Sequence, residues 1–395
     1  MTQRLLATAS LALIAATMLS SQAAQADVRT FRFGVVAGAP TPTADLDRMR
    51  EARVKSVRVY LHWASIEAQR PIGPGCTGAQ YQWDTFDRFV GGASRRDIRV
   101  LPFFFGSPGY AASEGQRMPS TGSPAIEDYK CFVRAAVARY GRGGSYPTLI
   151  NPRAAPITEW QAWNEPNLPG YAARGDVNPK EYARFVKTTT ATVRGVDQRA
   201  AIVLAGMPEQ GKNGMLSTRF LRQFYSVKGI RRSFNAVAIH PYAVNHRGVK
   251  GYLIRLRDTL RDLGDARRSV WITEVGWATS GPRDAFTVTT ERGQAKRLRN
   301  TFEMIKANRR RFNIGTVQWF RWRDAAPYGS TQWWGDYAGL YKKNGNPKAS
   351  CNSFARFTGG WRPCRAIADG GGLTGSFSAA EEREPKAALI PSPPE

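Results

Sequence analysis

Short apolar runs alternate with amphipathic stretches along most of the chain. The runs Phe31–Ala37, Ser56–Leu61, Val100–Phe105, Glu159–Trp163, Ile202–Gly206, Ala236–His240, Val270–Glu274 and Thr316–Trp319 are nearly continuously apolar. That pattern predicts strands covered on both faces. Between them, stretches such as Tyr129–Tyr140, Pro179–Val193, Leu253–Leu263 and Arg292–Ala307 place apolar residues three and four apart, which predicts helices. Pro179 suits the first turn of its helix, where a missing N–H costs nothing. Strands alternating with helices imply a parallel sheet, and eight repeats favour a closed (β/α)8 TIM barrel, a single α/β domain, over an open doubly wound sheet. No GxGxxG or P-loop argues for a nucleotide fold.

The two ends read differently. Residues 1–26 have the form of an export signal: Arg4, an apolar stretch from Leu5 to Leu19, and a small-x-small site at Ala24-Gln25-Ala26. The apolar stretch is short for a membrane span, which needs roughly 20 residues. The expectation is cleavage near Ala26 and a protein that is secreted or periplasmic, without a membrane span, and monomeric. Residues 27–368 would form the barrel domain, and 369–395, rich in Gly, Ser, Ala and Pro, a disordered tail.

Composition narrows the partners. Four cysteines suit an oxidising compartment, with Cys351–Cys364 and Cys76–Cys131 the simplest of three connectivities. No CxxC occurs and there are only 3 His, so neither a zinc site nor any other metal or cofactor is expected. The formal charge of +26 makes acidic polysaccharide, cell-wall polymer or nucleic acid conceivable partners. The arginines are scattered, however, and no nucleic-acid module accompanies them, so nucleic acid is not expected.

In such a barrel the C-terminal ends of the strands converge on one mouth. Read in order, those ends supply Arg58 and His62-Trp63, Asn164-Glu165, His240 and Tyr242, Glu274 and Trp277, and Trp319 with Trp322. Two segments stand out: Trp163-Asn164-Glu165-Pro166-Asn167, and Ile272-Thr273-Glu274-Val275-Gly276-Trp277. Each ends an apolar run on a glutamate. A buried, unpaired carboxylate is costly, so a pair of them needs a reason. Acid-assisted cleavage of a sugar acetal supplies one, because it requires one protonated and one ionised carboxyl group.

Trp163-Asn164-Glu165-Pro166 resembles the strand-four signature of clan A glycoside hydrolases. Thr273-Glu274-Val275-Gly276-Trp277 resembles their strand-seven nucleophile segment, and His240-Pro241-Tyr242 their strand-six His-x-Tyr. Val57-Arg58-Val59 through Trp63 is similar to their strand two. The likeness runs from about Phe31 to Phe357 and is nearest to secreted bacterial members of families 39 and 5. It implies a retaining glycosidase, with Glu165 as general acid/base and Glu274 as nucleophile. The acid must hold its proton near neutral pH, through burial or through the charge of Glu274. Arg58 and Tyr242 are expected beside Glu274, and Asn164 at the hydroxyl next to the reacting carbon. His240 would orient a carboxylate or a sugar hydroxyl. Trp277 and Trp319 are expected to bind substrate, with Trp319 favoured over Trp322 as the floor under the sugar. Trp63, Tyr110, Tyr328, Trp333 and Trp334 are further candidates for subsites, and Asp324 after Arg323 for a structural ion pair.

The expected partner is therefore a polysaccharide or oligosaccharide. The basic stretch Phe320-Arg321-Trp322-Arg323 keeps an anionic glycan open. Two other readings compete: a catalytically inactive glycan-binding barrel, and a basic protein held on an anionic envelope.

Overall fold

A computed structural model describes residues 30–367, apart from 39–40, 74, 210–212 and 361–362. The expected export signal and the expected tail lie outside the described residues. The strands are β1 (Arg32–Val36), β2 (Ser56–His62), β3 (Arg99–Phe105), β4 (Glu159–Ala162), β5 (Ala201–Pro208), β6 (Ala236–His240), β7 (Ser269–Val275) and β8 (Ile314–Trp319). They close in sequence order into one barrel, each paired in parallel with the next and β8 with β1. This is the (β/α)8 barrel that the hydrophobic pattern predicts.

Six of the helices, from Asp84–Ser94 and Ala125–Tyr140 through Pro179–Val196, Ser217–Tyr225 and His246–Asp262 to Glu291–Asn308, lie between successive strands from β2 onward. Asn178, Asn245 and Thr290 cap three of them by accepting from N–H groups of the first turn, which satisfies donors the helix itself leaves unpaired. Helix Thr43–Glu51 follows β1, and Ala349–Thr358 packs behind the β8 segment.

Inside the barrel, Leu101, Ala201, Val203, Ala236, Ala238 and Trp271 form a small apolar layer. Arg32 and Glu159 are joined there by a buried 2.6 Å ion pair, with the guanidinium over Trp271. The larger core lies outside the sheet, between strands and helices.

Three strands carry an extra residue, β8 at Gly315 between the pairs Val270–Ile314 and Trp271–Thr316, and β7 and β5 nearer the mouth. In β7, Ile272 pairs with Val317 and Val275 with Trp319, so three steps on β7 match two on β8. In β5, Val203 pairs with Ala236 and Gly206 with Ala238, the same mismatch. Such bulges re-aim side chains. In β7 this lets the consecutive residues Thr273 and Glu274 both serve the mouth.

Both expected disulfides form, Cys76–Cys131 and Cys351–Cys364. Two disulfides suggest an extracellular protein. No described helix is long and apolar enough to cross a membrane. Asp324 is in a buried ion pair, but with Lys348 at 2.7 Å, while Arg323 pairs with Asp45 of helix Thr43–Glu51.

Candidate active site

The end of β4 is contorted. Trp163 and Glu165 both have positive φ, 77° and 41°, a conformation that costs a non-glycine residue of order 1–3 kcal/mol and persists only where its surroundings enforce it. Those surroundings are visible. The Trp163 indole is buried and donates to the Tyr171 carbonyl, Tyr182 donates to the Ala162 carbonyl, and Asn167 donates to the carbonyls of Pro208 and Met215. Held in this way, Trp163 packs outward against Phe185, although Glu159 and Gln161 of the same parity face the barrel interior, and the consecutive residues Asn164 and Glu165 both reach the mouth.

Glu274 approaches from the β7 bulge. Arg58 Nη1 donates to its Oε1 at 2.6 Å and the Tyr242 hydroxyl to its Oε2 at 2.6 Å. Arg58 also donates from Nη2 to Asn164 at 2.8 Å and from Nε to Gln161 at 2.6 Å, while its guanidinium lies 3.9 Å from the Phe103 ring centre. The Arg58 side chain is wholly buried, so its three hydrogen bonds offset a large desolvation cost. One arginine thus fixes Glu274, Asn164 and Gln161 relative to one another.

A second chain of hydrogen bonds reaches Glu165. Since Gln161 Oε1 accepts from Arg58, its amide nitrogen faces Leu204 O at 3.0 Å and Thr273 Oγ1 at 3.4 Å. Thr273 Oγ1 lies 3.0 Å from His240 Nε2, and His240 Nδ1 lies 2.6 Å from Glu165 Oε1. Burial first, and the Arg58 charge second, hold the His240 pKa well below the ordinary imidazole value. The ring is therefore neutral, and it bridges Thr273 and Glu165 through its two nitrogens. Gly206 makes this possible, since a Cβ there would lie 1.9 Å from His240 Nε2.

Oxygen atoms of Glu165 and Glu274 and a ring nitrogen of His240 all lie within 4.8 Å of one another. The three could be metal ligands by type. Both Glu274 oxygens already accept hydrogen bonds, though, and a cation would lie against the Arg58 guanidinium. The donor set suits a pair of hydrogen-bonded carboxyl groups more than a metal centre.

The expected aromatic floor is corrected. Trp277 and Trp319 are both completely buried, their indoles donating to the carbonyls of Ala243 and Ala338, and Trp322 is buried with its indole on Asp45. They pack behind the mouth because alternation along β8 turns Trp319 outward, against Phe302. Phe320 takes the inward place, against Tyr242, and Trp334 meets Tyr242 edge-on at 4.9 Å. Of the loop aromatics, Trp63 donates to buried Glu67 and belongs to the core, and Tyr110 shares that glutamate. Trp333 packs on Phe320, and Tyr328 is exposed. Sequence reasoning missed Gln161, Thr273, Gly206 and Phe320. Gln161 and Thr273 left a signal, as polar residues in strands otherwise expected to be buried on both faces.

A family model described as glycosyl hydrolase catalytic core matches residues 147–353, just over half of the chain and including both glutamates. The chain belongs to this family. Among solved structures it is similar to a family 39 glycoside hydrolase from the gut symbiont Bacteroides cellulosilyticus WH2, with 21% identity, TM-score 0.62, and coverage of 84% of this chain and 64% of that one. A glucosidase from Croceicoccus marinus gives 15%, 0.61, 82% and 65%. A monomeric beta-xylosidase from Caulobacter crescentus CB15 gives 14%, 0.60, 83% and 67%. At such identities the likeness is one of fold, and this chain spans about two thirds of the length of these structures. None of the curated proteins compared matches significantly.

Proposed function

We propose that the protein is a secreted retaining O-glycoside hydrolase that cleaves poly- or oligosaccharides by double displacement. The observation that carries this is the approach of Glu165 and Glu274 oxygens to within 4.8 Å. Retaining enzymes keep their carboxyl groups about 5–5.5 Å apart, whereas inverting enzymes need about 6.5–9.5 Å to admit a water.

In the first step Glu165 gives its proton to the leaving glycosidic oxygen while Glu274 attacks the anomeric carbon. The C–O bond to the aglycone breaks and a glycosyl ester forms. Glu165, now a carboxylate, takes a proton from water as that water attacks the same carbon, and Glu274 departs. Arg58 and Tyr242 each donate to one oxygen of Glu274 and keep it pointed into the mouth, and His240 fixes the rotamer of Glu165. Asn164, held by Arg58, is placed to bond the hydroxyl beside the reacting carbon, where contacts strengthen in the oxocarbenium-like transition state. Trp334, half-buried and edge-on to Tyr242, offers an apolar surface beside this point. The two disulfides and the signal-like residues 1–26 support export.

The test is hydrolysis of a glycan panel with the first-formed anomer read by NMR. Retention is expected, and an inverted first product would overturn the mechanism. Wild-type silence across a broad panel that the protein nevertheless binds would leave an inactive glycan-binding barrel.

A further inference from the structure

Beside the two glutamates, a pocket of about 280 Å³ opens between the ends of β1, β2 and β3 and the segment after β8. Its lining includes Arg58, which also holds Glu274, and Phe320, which packs on Tyr242. Its volume lies near the lower end of ligand pockets and suits a single sugar unit.

The charges around it are unequally matched. Four cations line it, Arg58, Arg321, Arg323 and Lys343, against the carboxylates Asp45 and Asp324. Arg58 is engaged by Glu274, Arg323 by Asp45, and Asp324 by Lys348. Arg321 is different. Its side chain is 20% exposed, yet among the described residues its guanidinium donates no hydrogen bond. Its carboxylate contact is Asp336 at 4.0 Å, and that residue's other oxygen accepts from Thr331 at 2.6 Å. The guanidinium lies instead over Phe320 and Trp333, 5.2 and 5.6 Å from their ring centres. The backbone is pinned from both sides, Arg321 N to Ala338 O and Leu340 N to Arg321 O.

A largely buried guanidinium ordinarily acquires carboxylate or carbonyl partners. One held on aromatic faces with its donors unspent is preorganised for an anion that arrives with the ligand. Resting on the glycosidase reading above, we infer that this pocket binds a carboxylate-bearing sugar, a uronosyl unit of the glycan, with Arg321 as the residue that selects it. A planar, singly charged carboxylate matches the planar guanidinium fork through two parallel hydrogen bonds, and exposed Lys343 adds attraction from the solvent side.

The experiment compares uronosyl oligosaccharides with their carboxyl-reduced counterparts, which differ only in that group, and with sulfated neutral oligosaccharides. Hydrolysis and calorimetric binding are both measured. Wild type should prefer the uronosyl form by about 10–100-fold in kcat/KM, an effect of the size expected for a charge-assisted pair. Arg321→Gln should abolish that preference through KM and leave the carboxyl-reduced substrates within about twofold, while Arg321→Lys keeps part of it. Equal handling of the two forms, preference for the sulfated glycan, or an equal loss on all substrates in Arg321→Gln would overturn the assignment while leaving hydrolysis intact. Arg321-dependent binding of uronosyl oligosaccharides without any turnover would sustain it and sink the glycosidase reading instead.

Discussion

The two sides of the barrel mouth are built on opposite principles. On the side of β4, β6 and β7, Glu165, His240, Tyr242 and Glu274 each meet a partner at 2.6 Å, and Arg58 closes the set from β2. On the side of β8 and β1, Arg321 rests on aromatic rings with no hydrogen-bonded carboxylate. The first side is satisfied before any ligand arrives, which suits reacting groups that must not reorganise during the reaction. The second holds donors in reserve, which suits selection. Closure of one side and openness of the other can be attacked separately.

The largest effect is expected on the closed side. Glu165→Ala should lower turnover by about 10²–10⁴-fold, the usual worth of a general acid, and azide should rescue it. Glu274→Ala should lose at least as much without rescue on ordinary substrates. Aryl-glycoside kinetics decide this, and rescue in the opposite variant would reverse the two roles.

Arg58→Met comes next. It leaves Glu274 buried with Tyr242 alone and strips donors from Gln161 and Asn164. Breaking a buried pair in this way costs about 3–5 kcal/mol. Denaturant unfolding measures it, and a stability close to wild type would mean the site is less rigid than described.

Gly206→Ala tests whether closure depends on space. The new methyl overlaps His240 and Thr273, so Glu165 should lose its orientation, and misplacement of about 1 Å can cost about 10²-fold in rate. Unchanged kcat would show that His240 does not position the acid.

Acid should loosen both sides through buried imidazoles. Burial lowers His62, a lining residue of the pocket, from 6.5 to about 4, and pushes His240 well below its ordinary value. The unfolded chain takes up these protons first. The His62 contribution to stability is therefore complete above about pH 6.5 and is lost as pH falls toward 4, by at most about 3 kcal/mol, and His240 acts in the same direction. Thermal midpoints from pH 7 to 4.5 should fall less steeply in His62→Gln than in wild type, and parallel curves would refute the assignment.

The smallest effect separates floor from core. Trp319→Phe should cost about 1 kcal/mol for the lost hydrogen bond and leave KM unaltered, whereas Trp334→Ala should raise KM. A large KM rise in Trp319→Phe would return that indole to the sugar.

How much of this could be read beforehand varies with the range of the physics involved. The barrel was legible because eight apolar runs separated by amphipathic stretches have few other ways to bury themselves. The placement of Arg58, Asn164, His240 and Tyr242 around the glutamates followed from strand ends converging on one mouth. The floor did not follow. Trp319 and Phe320 are adjacent, equally apolar and aromatic, and the register of β8 against its neighbours turns one outward and the other in. The bulges that aim Glu274 and clear space for His240 are likewise properties of paired strands, invisible in either strand alone.

By itself, then, the amino-acid order determined the architecture, the two carboxyl groups and the cysteine pairing that proved simplest, since each rests on local pattern or on residue chemistry. Which aromatic faces the ligand, which partner takes each ion, and which arginine is left unmatched were decided only in three dimensions. Arg321 and Arg323 differ little in sequence context, but Asp45 lies within 2.9 Å of one, and among the described residues no carboxylate lies closer than 4.0 Å to the other. A charge acquires its role from what folding brings beside it.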